Sequence, residues 1–147
     1  MLADLPGAEL NITIPKFNHV THCISQLEDA IQQDSLQRAK SVKDQIEFVF
    51  ANQYRMEDIF RLGQAGEIPR KVVHNDTKFN NVLIAHDRQS SCVIDLDTVM
   101  TGYLQYDFSD TIRTATNTGF EDDEDLSRVS MSMPIFSAYA KGFIEQV

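Results

Sequence analysis

Two short apolar runs, Val82-Leu83-Ile84-Ala85 and Cys92-Val93-Ile94, are separated by the polar stretch His86-Asp87-Arg88-Gln89-Ser90-Ser91. Runs of this length around a polar connection predict a β-hairpin. Asn81 stands at its entrance and Asp95 at its exit. Folding the hairpin therefore brings together an amide and a carboxylate that are far apart along the chain. Upstream, Lys71 to Val73 reads as a short strand leading into His74-Asn75-Asp76-Thr77-Lys78-Phe79-Asn80-Asn81. The order is His, then Asp two residues on, then Asn five residues later, then Asp after a hairpin.

That order suits phosphoryl transfer, in which one Asp accepts a hydroxyl proton while an Asn and a second Asp hold magnesium. An alcohol is a poor nucleophile at neutral pH, so a carboxylate must orient it and take its proton. Asp76 is the candidate. Magnesium is a hard cation that binds one or two carboxylates together with substrate phosphates. Asn81 and Asp95 supply such oxygens. Asp97 is either a further metal ligand or a partner for the backbone of its own loop. Lys78 is close enough along the loop to stabilise charge on the transferring group. His74, following Val72-Val73, reads as a buried histidine bracing the loop. Thr77 and Asn80 read as loop-shaping residues. Taken singly, each polar residue could be a solvated turn residue; the set, with its apolar runs, points to chemistry.

Three segments carry a family resemblance: residues 73–83, then Val93-Ile94-Asp95-Leu96-Asp97-Thr98-Val99-Met100, then Tyr106-Asp107-Phe108-Ser109-Asp110-Thr111-Ile112-Arg113. They resemble the aminoglycoside phosphotransferase and choline kinase superfamily, and within it most of all the N-acetylhexosamine 1-kinase group. The resemblance implies an α+β fold, the C-terminal lobe of a protein-kinase-like enzyme, mostly helical with a small β-hairpin carrying the catalytic and metal residues. It implies transfer of the ATP γ-phosphate, with Mg2+, to a small-molecule hydroxyl, the anomeric hydroxyl of an amino sugar. Asp76 matches the catalytic Asp, and Asn81 and Asp95 match the metal ligands. Asp107 and Asp110 match a helix that supports the catalytic loop from below.

The chain departs from the family pattern in what it lacks. None of the six glycines forms a phosphate loop, and no strand-like run before residue 70 ends in a suitable Lys. Leu10 to Pro15 reads as an inter-lobe connection, and the last helix, from Met133, is still running at Val147. The expectation is a single domain over 1–147, a partial C-terminal lobe whose N-terminal ATP-binding lobe belongs to a longer protein or a partner. The alternative is a catalytically incomplete fragment serving as a sugar-binding or interaction module.

A net charge of −9 disfavours nucleic acid and anionic membrane as partners. No signal peptide or apolar run of membrane-spanning length is read, so the expected location is the cytoplasm. The two cysteines, Cys23 and Cys92, suggest neither a disulfide framework nor a metal pattern and read as small apolar residues. The acidic run Glu121-Asp122-Asp123-Glu124-Asp125 lacks the alternating spacing of a calcium loop and reads as a solvated linker. Helical periodicity predicts helices over about 17–31, 36–52, a third through Met56 to Leu62 stopped by Gly63 to Gly66, one over 107–116 and one from 133. Their apolar stripes read as core-facing.

Overall fold

A computed structural model describes residues 2–5, 10–87 and 91–146. Arg88, Gln89 and Ser90 of the hairpin connection, together with Gly7 and Val147, lie outside the described residues. The chain divides into two compact units, one formed by Met1–Thr13 with Arg70–Val147 and the other by Ile14–Pro69.

The Ile14–Pro69 unit is helical: α1 spans Val20–Gln33, α2 Lys43–Met56 and α3 Asp58–Gln64. His19 caps α1 by accepting the His22 N–H on Nδ1 at 3.3 Å, and its ring lies 4.4 Å from that of Phe60. Within the α1 stripe Ile24 is buried, while Cys23 faces solvent. The expected second helix is broken. A 3-10 turn over Ala39–Val42 precedes α2, and the Asp34 carboxylate fixes its approach by accepting the N–H groups of Arg38 and Ala39 at 2.8 and 3.1 Å. A side chain that satisfies backbone donors in this way competes with a continuous helix.

The other unit holds two small antiparallel sheets. Strand β1 (Lys71–Val73) pairs with β4 (Met100–Gly102), and β2 (Val82–Ile84) pairs with β3 (Ser91–Val93). Val73 is wholly buried, and with Val72, Met100 and Tyr103 it forms the apolar centre around β1 and β4. Helix α4 (Leu104–Ala115) follows β4 at once, starting three residues before the expected Asp107. Helix α5 (Met133–Ile144) takes Pro134 in its first turn, where the missing N–H costs nothing. Phe108 of α4 meets Phe143 and Tyr139 of α5 with ring centroids 4.9 and 5.7 Å apart. Ile135, expected in the core stripe, is exposed.

One further expectation is corrected. Cys92 lies in β3 as expected but is exposed, because both faces of this two-stranded hairpin meet water. The acidic run is the expected linker between α4 and α5, exposed except at half-buried Asp123, and it makes local ties. Glu121 pairs with Arg113, Asp123 lies 3.8 Å from Arg128, and Asp125 caps the 3-10 turn Leu126–Arg128. Among the described residues, no helix is long and apolar enough to cross a membrane.

Candidate active site

The loop from His74 to Asn81 leaves β1 and enters β2, so both of its ends are tied to paired strands. Asp107, in the first turn of α4, anchors its start by accepting the main-chain N–H groups of His74 at 2.9 Å and Asn75 at 2.7 Å. These charge-assisted bonds are the strong class of hydrogen bond. Burial nevertheless holds the Asp107 carboxyl above its ordinary value, outweighing the two N–H donors that favour the charged form. Thr77 adds two further ties to α4, donating to the Asp107 carbonyl at 2.7 Å and accepting from the Thr111 hydroxyl at 3.0 Å.

His74 is 2 % exposed. Its Nδ1 accepts the Asp76 N–H at 3.3 Å, which leaves the Nε2 hydrogen for the Ile94 carbonyl at 3.0 Å. Both ring nitrogens are thereby occupied in bracing the loop against the hairpin, and neither is placed for proton transfer. Asn75 is held left-handed (φ 67°), with its amide donating to the Thr98 carbonyl at 3.1 Å, while the Thr98 hydroxyl donates to the His74 carbonyl at 2.8 Å. Strain of this kind persists only where surrounding bonds over-determine the backbone.

Asp76 is thus set on a loop that cannot relax. Its Oδ2 accepts from Lys78 Nζ at 2.9 Å and from Asn81 Nδ2 at 3.0 Å. Burial opposes the charge of Asp76, but the Lys78 hydrogen bond and charge and the Asn81 amide outweigh it, so the carboxyl lies below its ordinary value. The Asn81 amide also donates to the Asp76 carbonyl at 2.9 Å. Both contacts use the nitrogen of Asn81, so its oxygen is the atom left for a different partner. The main chain confirms the expected closure of the hairpin: the Ile94 N–H donates to the Asn81 carbonyl at 2.9 Å, and Val82 is in register with Val93.

Asp95 is exposed and also left-handed, with φ 67°. The Asp97 side chain, within hydrogen-bonding reach and of like charge, holds the Asp95 carboxyl above its ordinary value. A pair of carboxylates forced together is relieved by a cation, and carboxylate oxygens are the hard donors that magnesium selects. Among the described residues there is no cluster of three or more His, Cys, Asp or Glu placed to hold a metal, and the Asp95–Asp97 pair is not one. The Asp97 carbonyl accepts the Thr13 hydroxyl at 2.9 Å, which leaves the Asp97 carboxylate out of that contact. Asp110 does not reach the loop with its side chain; it accepts from Arg113 Nη2 at 2.8 Å.

The stretch that holds this loop and hairpin falls within a match to a known family. The model of a family described as the phosphotransferase enzyme family matches residues 16–130. The chain belongs to the phosphotransferase enzyme family. The match supports the aminoglycoside phosphotransferase and choline kinase superfamily, and with it kinase-type transferase chemistry in general. Mixed helices and small antiparallel sheets are compatible with a kinase-like fragment. For a phosphotransferase, the residues that the sequence reading overlooked are Asn75, Thr98 and Thr111. All three act through main-chain partners, which leave no spacing signal. At Asn75 the residue type is the one hint, since Asn tolerates the left-handed backbone found there.

Proposed function

We propose that this chain carries the catalytic centre of an ATP- and Mg2+-dependent small-molecule kinase, and that its acceptor is the anomeric hydroxyl of an N-acetylhexosamine. The observation that supports this reading is the Asp76 carboxylate. It is kept ionised by Lys78 and Asn81 on a loop locked by Asp107. In this reading Asp76 orients the acceptor hydroxyl and takes its proton as the new oxygen–phosphorus bond forms and the bond to the ADP oxygen breaks. Lys78 leaves Asp76 for the transferring phosphoryl oxygens, which carry more charge than one carboxylate. Asn81, Asp95 and Asp97 would hold the cation. Magnesium, when bound, neutralises phosphate charge and templates in-line transfer.

The test is magnesium-dependent ADP release by the purified chain with ATP and a panel of amino sugars, run beside Asp76→Asn. Sugar-stimulated release that falls by at least about 10²-fold in the variant is expected for loss of the base. Full turnover by the variant would refute the assignment of Asp76. No release by a folded wild-type chain that still binds sugar would favour an incomplete lobe acting as a binding module.

A further inference from the structure

Asp95 and Asp97 sit on a short arch, residues 94–98, in which left-handed Asp95 leads into the 3-10 turn Leu96–Thr98. Both feet of the arch stand on the same two residues at the start of the His74–Asn81 loop. At one foot the His74 imidazole donates to the Ile94 carbonyl at 3.0 Å. At the other, the Thr98 hydroxyl donates to the His74 carbonyl at 2.8 Å, and the Thr98 carbonyl accepts the Asn75 amide at 3.1 Å. His74, Asn75 and Thr98 are 2, 8 and 8 % exposed, so water competes little for these bonds. The crest, with Asp95, Leu96 and Asp97, is exposed. The tie from the Thr13 hydroxyl to the Asp97 carbonyl is exposed as well, where exchange with water leaves a hydrogen bond worth little.

Asn75 directly precedes Asp76, so the two residues that carry the arch also set where the Asp76 carboxylate begins. The crest lies within electrostatic reach of that carboxylate. Asp97 has the largest effect on Asp95, and the Lys78 ammonium and the Asp76 carboxylate act on it as well. Phosphoryl transfer needs the proton acceptor and the phosphate-binding cation in register, because a misplacement of about 1 Å can cost about 10²-fold in rate. Two of the three ties at the feet end on arch carbonyls, which any residue supplies. The third is the Thr98 hydroxyl, so residue 98 is where the identity of an arch side chain decides the fit. Valine has nearly the same shape but no donor, and it would leave the buried His74 carbonyl without this bond.

Resting on the kinase reading above, we propose that Thr98 is a positioning residue: its hydroxyl, clasped to the His74 carbonyl, fixes the distance from the Asp95–Asp97 pair to the Asp76 carboxylate. Thr98 itself meets neither reactant nor cation in this role. It acts through His74 and Asn75 on one side and through its neighbour Asp97 on the other.

The experiment loads the isotopically labelled full chain with Mn2+, which takes the same oxygen ligands as Mg2+ and broadens nearby NMR resonances. Broadening of the Asp76, Asp95 and Asp97 side-chain carboxyl carbons is compared in wild type, Thr98→Val and Thr98→Ser, each checked for wild-type circular dichroism. Thr98→Val is expected to shift the ratio of Asp76 to Asp95 broadening, and Thr98→Ser, which keeps the donor, to hold the wild-type ratio. In the ADP-release assay Thr98→Val is expected to lose about tenfold in kcat with KM unchanged for ATP and sugar. A residue that only added stability would lower Tm and move neither the ratio nor kcat at a temperature where both proteins are folded. If Thr98→Val does not fold, Asn75→Gly carries the decision, because glycine accepts the left-handed backbone and removes the amide that holds the Thr98 carbonyl. A ratio shifted in Thr98→Val and restored in Thr98→Ser, with no ADP release from wild type, would support this proposal and count against the kinase reading. An unshifted ratio would overturn the proposal, and ADP release alongside it would leave the kinase reading standing. Equal shifts in Thr98→Val and Thr98→Ser, or no broadening of Asp95 and Asp97 in wild type, would also overturn it.

Discussion

The Asp107 carboxylate receives the N–H groups of both His74 and Asn75, so one side chain sets the direction in which the chain enters the His74–Asn81 loop. Asn at this position keeps the shape but offers one acceptor oxygen where two N–H groups need partners. Asp107→Asn is expected to cost about 1–3 kcal/mol, the usual penalty for an unsatisfied buried donor, read from urea unfolding at pH 7. An unchanged midpoint would show that the loop does not hang on Asp107. The pH dependence has a definite sign. Because burial raises the Asp107 value in the folded chain, the folded state binds that proton more tightly than the unfolded one. Its contribution to stability therefore falls as pH climbs from the ordinary carboxylate range through the raised value, and Asp107→Asn should flatten that slope. Asp76 is the opposite case. Its lowered value gives stability that is present above the ordinary Asp range and lost as pH falls through the lowered one. Lys78→Met removes the main source of that lowering, so the Asp76 carboxyl should titrate at higher pH in a ¹³C-detected NMR titration. An Asp76 curve that did not move would mean that the Lys78 contact has no hold on that carboxylate.

Strand β4 shows why some elements are legible in a sequence and others are not. The hairpin of β2 and β3 is local: two apolar runs and a polar connection announce it, and Asn81 and Asp95 mark its ends. The helices repeat apolar residues often enough to show themselves, although Asp34 breaks the second one in a way that periodicity cannot reveal. Met100–Gly102, by contrast, has three residues, one of them glycine, and a partner strand that lies on the far side of the hairpin. Nothing in its own residues names Lys71–Val73 as that partner. The site divides in the same way. Asp76, Asn81 and Asp95 are legible because the proton and metal chemistry proposed for them calls for those side chains at that spacing, whereas Asn75 and Thr98 serve backbone atoms. The β1–β4 pairing does make a prediction at Gly102. A Cβ there would come within 2.6 Å of Val73 Cγ2 and 3.2 Å of Asn75 Oδ1. Val73 is wholly buried and cannot yield, so Gly102→Ala is expected to destabilise by about 1–3 kcal/mol, as overpacking does. Val73→Ala removes the obstructing methyl, so the double variant should be less destabilised than the two single changes added together. Strict additivity in urea unfolding would mean that the two residues do not meet in solution.

At the scale of the whole chain, a net charge of −9 opposes the compact state through self-repulsion, and Asp95 with Asp97 concentrates part of that repulsion in one place. Any salt should relieve the general term by screening. The local term requires a cation held between specific oxygens. Thermal unfolding in MgCl2 and in NaCl at equal ionic strength separates the two contributions. Magnesium is expected to raise Tm by an extra ~3 °C once its concentration exceeds the dissociation constant by about tenfold, from mass action on the folded state and the thermal response of a chain this size. Asp95→Asn tests the assignment with two effects of opposite sign. It removes the like-charge contact and places Asn in a left-handed backbone that Asn tolerates well, so Tm without magnesium should rise above wild type. It also removes a carboxylate proposed as a magnesium ligand, so the magnesium-specific increment should vanish. A variant that kept the full increment would place the cation elsewhere on this acidic chain. A variant less stable than wild type without magnesium would mean that the Asp95–Asp97 contact is not a repulsive one.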